Sequence, residues 1–281
     1  MANEKGTYTS REAILGKFRF YWLLPLASVI VFWSMLVALM TVWAASDYRV
    51  YPEEDAGTKV PYISDIGASG VKPLFIAAGA VQGTLFVLAL MSERYLRHKG
   101  RLERNRHKAE KILSTFAIIF ATIGQIGFIL LSILDTHSHH LAHSICLGIF
   151  VVGIGIAAAC SFGEFAMLRR NYYEVHWLRF SYKLKLAWFI VAIGLAIAFV
   201  VLVNMSDPNP GAIVEWTLAY WYPFFGIILT FDLLPASKRS QEHERTDKYM
   251  LGFERSSGAS HRSLTNQSDV ECRRESGTES A

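Results

Sequence analysis

The sequence has few cysteines and lacks the short motifs that identify many enzymes. Three cysteines occur in 281 residues, and Cys146 and Cys160 fall in one apolar stretch while Cys272 falls in a polar one. This placement excludes a disulfide framework. No phosphate-binding glycine loop, Cys-x-x-Cys pair or nucleophile elbow occurs in the chain. We therefore predict a protein that has no cofactor and is not an enzyme.

Charged side chains are almost absent from six stretches and dense between them. Each stretch holds about 18 to 25 mostly apolar residues, enough for a helix to cross a membrane. A soluble domain would instead distribute lysine and glutamate along its amphipathic helices. We predict an all-α polytopic integral membrane protein, with a six-transmembrane-helix bundle over residues 22–235. The predicted spans are residues 22–45, 73–91, 112–134, 142–168, 186–203 and 217–234.

The flanking segments and the positions of the basic residues predict the orientation. The first apolar stretch is too long for the core of a signal peptide, so we interpret it as a retained span after an N-terminal segment, residues 1–21. Residues 236–281 have almost no aliphatic side chains and are predicted to be a disordered tail. All but three of the 28 lysines and arginines (Arg49, Lys59 and Lys72) fall on one side of the predicted spans. Because basic residues are enriched in cytoplasmic loops, both termini are predicted to be cytoplasmic.

An unusually apolar loop precedes the second span. It reads Pro61-Tyr62-Ile63-Ser64-Asp65-Ile66-Gly67-Ala68 and surrounds one carboxylate with three large apolar or aromatic side chains. We expect this loop to lie on the non-cytoplasmic side and to fold down onto helix ends or into the headgroup layer. Ser64 and Asp65 are suited to cap a turn, and Gly67 is expected to let the chain reverse direction.

Polar residues also occur inside or near the ends of the predicted spans. Gln82 and Gln125 lie near the middle of spans two and three, where they could hydrogen-bond across a helix interface or line a path for a lipid or small molecule. Glu164 and Asp232 lie near the cytoplasmic ends of their spans and are expected to be solvated. Pro223 is expected to kink span six unless neighbouring helices satisfy the freed carbonyl group.

The turn between spans three and four is rich in histidine. Asp135, His139, His140 and His143 lie within nine residues. One interpretation is interfacial helix capping, and a second is a turn that senses pH or contacts headgroups. A third is a zinc site, because His139 and His143 are spaced for one helix face and Asp135 is nearby. With a bound water, those three ligands would serve a lipid hydrolase.

The loop after span two is strongly basic. Eight basic residues lie between positions 94 and 111, among them Arg97, Arg101, Arg104, Arg106 and Lys108. Such a cluster attracts anionic lipids of the inner leaflet, by about 1 kcal/mol for each basic residue near the surface. The alternative is that the loop only enforces topology. Nucleic-acid binding is excluded by the position of the loop against the bilayer.

The motif and the topology together resemble the Frag/DRAM/Sfk family of six-span membrane proteins. The family carries a P-[YF]-I-S-D-[IT]-G motif in the first external loop, where this chain has Pro61 to Gly67. The sequence from Ile133 to Thr136, followed by His140 and His143, is similar to the family pattern between spans three and four. The resemblance covers roughly residues 20–236 and is nearest to the fungal Sfk-type plasma-membrane branch.

The resemblance implies a non-enzymatic, multi-pass regulator of lipid organisation in the plasma membrane. Its Sfk-type branch is associated with phosphoinositide 4-kinase and with phospholipid asymmetry, so anionic phosphoinositides and a kinase complex are the implied partners. Other members of the family suggest two alternatives. One is a modulator of autophagy in lysosome or vacuole membranes, and the other is a metal-dependent enzyme that remodels lipids or GPI anchors.

Overall fold

The computed structural model describes residues 20–48, 59–134, 136–205 and 207–237, without the side chains of residues 136 and 137. Most of the predicted N-terminal segment and the predicted disordered tail therefore lie outside the described residues. Within those ranges all regular structure is helical. The helices are α1 (Leu23–Ala45), α2 (Ile63–Ala68), α3 (Lys72–His98), α4 (Lys108–Ile133), α5 (Thr136–Asn171), α6 (His176–Leu202), α7 (Asn209–Trp221) and α8 (224–237).

Six of these helical segments are long and apolar enough to cross a membrane, which confirms the predicted fold class. They are α1, α3, α4, α5 from Ser138, α6, and α7 with α8 as one segment, Asn209–Ser237. Several helices extend well beyond the apolar stretches. For example, α3 continues to His98 and α6 begins at His176. A hydropathy pattern detects only the apolar part of a helix, whereas backbone hydrogen bonding continues into the polar turns at its ends.

Neighbouring spans pack in chain order, and the contact between α4 and α5 is the most extensive. A Cβ atom on Gly153 of α5 would lie 2.8 Å from the Cα atom of Gly124 in α4, which is too close for any side chain. Ala157 and Ser161 continue the same face of α5 and are both buried. Small residues spaced four apart allow this contact, as in other membrane helix pairs.

Span six is interrupted at Pro223, which separates α7 from α8. Proline has no N–H group, so carbonyl groups in the preceding turn lose their helical partners. The indole of Trp33 in α1 donates a hydrogen bond to the Tyr220 carbonyl oxygen at 3.2 Å. The indole of Trp188 in α6 donates one to the Trp221 carbonyl oxygen at 3.1 Å. Neighbouring helices thus supply hydrogen bonds to the carbonyl groups around the break.

Candidate functional site

The motif of the first loop forms the short helix α2, which lies across one end of the bundle. Asp65 accepts a hydrogen bond from the Tyr62 backbone N–H at 3.1 Å and so caps the first turn of the helix. Ile63 and Ile66 are buried in the main hydrophobic core of the bundle. The apolar side chains of the motif therefore pack down onto the helices, as the sequence indicates.

Gly67 has a different role from the one expected. It lies within α2, and among the described glycines the left-handed backbone conformation occurs at Gly100. A Cβ atom on Gly67 would lie 2.7 Å from the ring of Phe75 in α3. The prediction that Gly67 lets the chain reverse direction is wrong, because the position requires glycine for close contact with an aromatic ring.

Contacts from the start of α7 hold the motif segment in place. The Trp216 indole donates to the Pro61 carbonyl oxygen at 2.9 Å, and the Tyr62 hydroxyl donates to the Pro208 carbonyl oxygen at 3.2 Å. The side-chain oxygen of Asn209 accepts from the Lys59 backbone N–H at 2.6 Å. Beside this contact, hydrogen bonds from Asn209 lower the pKa of the exposed Asp207 carboxyl group. The motif and span six thus form one end of the bundle together.

An apolar cavity of about 150 Å³ lies beneath α2. Most of its wall is aromatic or aliphatic, and four polar side chains interrupt it, namely Ser64, His143, Glu215 and Tyr222. Glu215 accepts a hydrogen bond from the Ile63 backbone N–H at 2.9 Å. A carboxyl group in the wall of an apolar cavity of a membrane protein is a functional candidate. Glu215 has no distinguishing signal in the sequence, because a glutamate near a span end also fits an interfacial position.

The histidine turn supports the capping interpretation. The Nδ1 atom of the buried His143 lies 3.1 Å and 2.8 Å from the carbonyl oxygens of Leu131 and Leu134. Nδ1 must therefore carry a hydrogen, which it donates to carbonyl groups at the end of α4 that have no helical partner. His139 has non-helical backbone angles at a kink, so the expected helical face of His139 and His143 is not formed. His140 is exposed.

The described residues give no support to the zinc hypothesis. In the part of the chain that the structure describes, no group of three or more His, Cys, Asp or Glu side chains could hold a metal ion. Asp135, which the zinc and hydrolase hypotheses require, lies outside the described residues. His143 already uses Nδ1 for helix capping, and His139 is exposed. Among the described residues of this turn, His143 caps the end of α4.

Gln82 and Gln125 share one partner, Tyr222, at the break in span six. Both side-chain amides donate to the Tyr222 hydroxyl oxygen, at 2.9 Å and 2.6 Å. Ser28 of α1 joins this group by donating to the Gln82 backbone carbonyl at 3.1 Å. Both glutamines thus hydrogen-bond across helix interfaces, and the shared acceptor is the Tyr222 hydroxyl oxygen.

A network of buried charges lies at the opposite end of the bundle. Arg97 forms ion pairs with Glu93 at 2.7 Å and Glu164 at 3.5 Å. Lys185 forms a second pair with Asp232 at 2.9 Å. All five side chains are buried. Glu164 and Asp232 were expected to be solvated and Arg97 to face lipid, and all three expectations are wrong because these charges neutralise one another between helices.

The other residues of the basic loop are more accessible. Arg101 is half-buried, with its guanidinium 5.5 Å from the centre of the Tyr21 ring, and this burial lowers the pKa of Arg101. Arg104, Arg106 and Lys108 are exposed. Beside them lies a cleft of about 560 Å³, lined by Arg94, Arg97, His98, Arg104, Asn105 and Lys111.

These features define a multi-pass α-helical membrane protein in which a short helix between the first two spans covers an apolar cavity. Residues 20–236 match the family model described as the Frag1/DRAM/Sfk1/Cwh43P N-terminal domain. The chain belongs to this family, which confirms the resemblance carried by the motif.

Two fungal relatives agree with the predicted Sfk-type branch. Protein SFK1 of Saccharomyces cerevisiae is 24% identical over an alignment of 275 positions, which spans 75% of this chain and 77% of that protein. Protein sfk1 of Schizosaccharomyces pombe is 30% identical over 230 residues, which cover 82% of this chain and 68% of that protein. No solved structure matches this chain.

Proposed function

We propose that the protein is a non-enzymatic regulator of lipid organisation in the plasma membrane. In this proposal the basic end of the bundle faces the cytoplasm, binds anionic phosphoinositides and helps to recruit a phosphoinositide 4-kinase complex, with an effect on phospholipid asymmetry. The observation that carries the proposal is the exposed cluster Arg104, Arg106 and Lys108 beside the basic cleft. Family membership and the two Sfk1 relatives support it.

The basic residues at this end differ in their exposure and in their ion pairing. Arg97 lies in the wall of the cleft, but Glu93 and Glu164 neutralise its charge. Arg104, Arg106 and Lys108, three of the exposed cations of this loop, contribute about 1 kcal/mol each toward an anionic leaflet, or about 3 kcal/mol together. That sum corresponds to roughly a hundredfold in local affinity. The distribution of lysine and arginine along the chain supports a cytoplasmic position for this end.

The test neutralises this cluster in the full-length protein. The triple variant Arg104→Gln, Arg106→Gln and Lys108→Gln is expected to bind vesicles that contain phosphoinositide less well by up to roughly a hundredfold, and to recruit less kinase complex in cells. The matched control is Arg170→Gln, Arg179→Gln and Lys183→Gln, which removes three exposed charges from the end of α5 and from α6. Binding that falls equally in both variants would indicate a general charge effect. Unchanged binding and recruitment in the first variant would contradict the proposal.

Localisation provides an independent test of the same proposal. A fluorescently tagged full-length protein is expected at the cell periphery, together with a plasma-membrane marker. Residence on the lysosome or vacuole would contradict the proposed plasma-membrane role and would favour the autophagy alternative.

A further inference from the structure

The cavity beneath α2 reaches the surface of the bundle at the seam between α5 and α6. Ile193 of α6 lies in the cavity wall and is also 44% exposed. Gly155 of α5 lines the cavity, and a Cβ atom on it would meet no heavy atom within 4 Å. The apolar window of α6 is only 11% buried, less than that of any other candidate span. The seam therefore opens toward the hydrocarbon layer, which contains lipid chains and no bulk water.

The wall of the cavity follows α5 over several helical turns. The α5 residues in its wall extend from His143 to Gly155, which corresponds to about 18 Å at ~1.5 Å per residue. This length is close to one leaflet of a hydrocarbon core that is ~30 Å thick. The volume is about 150 Å³, similar to that of an engineered apolar cavity that holds one benzene molecule. The enclosed volume therefore accommodates about six carbons of a hydrocarbon chain, as many as benzene has, and the rest of an acyl chain lies in the open seam between α5 and α6. A fused-ring sterol is too large for the enclosed part.

The wall of the cavity is polar at the end covered by α2. Ser64 lies in α2, and the bond from Ile63 to Oε2 of Glu215 leaves the other carboxyl oxygen for a ligand. Nδ1 of His143 is hydrogen-bonded to backbone carbonyl oxygens, so its Nε2 atom is the one that can bond to a ligand. The wall contains no lysine or arginine among its described residues, so this end does not select a phosphate group. It fits the ester and hydroxyl groups next to an acyl chain.

We propose that this cavity binds one acyl chain of a bilayer glycerolipid, which enters between α5 and α6. The methyl end of the chain points toward Tyr222, and the ester end lies near Ser64 and Glu215. The α2 helix of the family motif covers the bound chain. This site lies at the opposite end of the bundle from the basic cleft and is independent of phosphoinositide binding there.

Photocrosslinking of the full-length protein in lipid nanodiscs tests the proposal. The probe is a phosphatidylcholine with a diazirine near the methyl end of one acyl chain, and mass spectrometry locates the labelled residues. Wild-type protein is expected to be labelled inside the cavity, for example at Phe150 and Ile154. Gly155→Leu fills the cavity and abolishes that labelling. Gly148→Leu, on an exposed face of the same helix with open space around its Cβ atom, retains it.

A second variant and a second probe make the test independent of folding defects. Ala196→Leu narrows the cavity from α6 and is expected to abolish the same labelling, with each variant checked by its size-exclusion profile. A diazirine next to the ester is expected to label residues near Ser64. Labelling that is equal in wild type and both cavity variants shows lipid on the outer surface only and overturns the proposal. Labelling of the cavity by a sterol probe in preference to the acyl probe also overturns it.

Discussion

At the scale of single residues, the two glycines that follow the motif aspartate have different surroundings. Gly67 faces the ring of Phe75, and any Cβ atom would overlap that ring. Gly70 lies three residues later, in the turn before α3, and a Cβ atom there would meet nothing within 4 Å. The spacing of α2 and α3 therefore depends on the first glycine and not on the second.

Substitution of these glycines tests that difference. Gly67→Ala is expected to lower the free energy of unfolding by about 1–3 kcal/mol, because the added methyl group overpacks a rigid ring. The matched Gly70→Ala variant is expected to change it by less than about 0.5 kcal/mol, as is usual for substitutions away from packed sites. Thermal unfolding in detergent measures both. Equal shifts in the two variants would contradict the packing argument.

At the scale of elements, the break in span six gives the bundle much of its internal hydrogen bonding. It places the Tyr222 hydroxyl where Gln82 and Gln125 both reach it. It also exposes carbonyl groups to the indoles of Trp33 and Trp188. An uninterrupted helix would use these carbonyl oxygens internally, so the proline is what allows α1 and α6 to bond to span six.

Removal of one indole donor tests the role of the break. Trp188→Phe keeps an aromatic ring in a buried position but leaves the Trp221 carbonyl oxygen without its donor. The expected loss of stability is about 1–3 kcal/mol, the usual cost of an unsatisfied buried polar group. Hydrogen exchange of the amides around residue 222 should become faster. Trp43→Phe is the control, because Trp43 contacts Tyr48 through its ring, and similar exchange in both variants would contradict the prediction.

At the scale of the whole molecule, polar groups at the two ends of the bundle join helices that are distant in sequence. At one end, span six holds the motif through Trp216 and Glu215. At the other end, Arg97 links α3 to Glu164 of α5, and Lys185 links α6 to Asp232 of α8. Between these ends, the Tyr222 hydroxyl joins span six to Gln82 of α3 and Gln125 of α4, and the apolar cavity extends from this group toward α2.

The buried ion pair of Lys185 and Asp232 allows a test of this arrangement. Asp232→Asn leaves a buried ammonium group without its partner and is expected to cost about 3–5 kcal/mol of stability. The double variant Lys185→Met with Asp232→Leu replaces both charges with apolar side chains and should recover most of that loss. Thermal stability and expression level measure both effects. A single variant as stable as wild type would show that other groups neutralise Lys185.

The sequence by itself determined the six-span fold and the family. Spans are decided by the composition of consecutive residues, because the bilayer provides the apolar environment whatever the helices contact. The motif from Pro61 to Gly67 likewise indicates the family from consecutive residues alone, because these residues form one short helix together. The capping role of Asp65 followed from local spacing and is present in the structure.

Only the tertiary structure decided which polar groups meet. A glutamate or arginine near a span end has the same local sequence whether it reaches solvent or pairs inside the bundle, so the sequence does not reveal the buried pair of Arg97 and Glu164. The side-chain amides of Gln82 and Gln125 hydrogen-bond to Tyr222, which lies 140 and 97 residues away in sequence. The cavity likewise exists because side chains from several helices leave space between them. That space depends on how the helices pack against one another, and no single stretch of sequence records it.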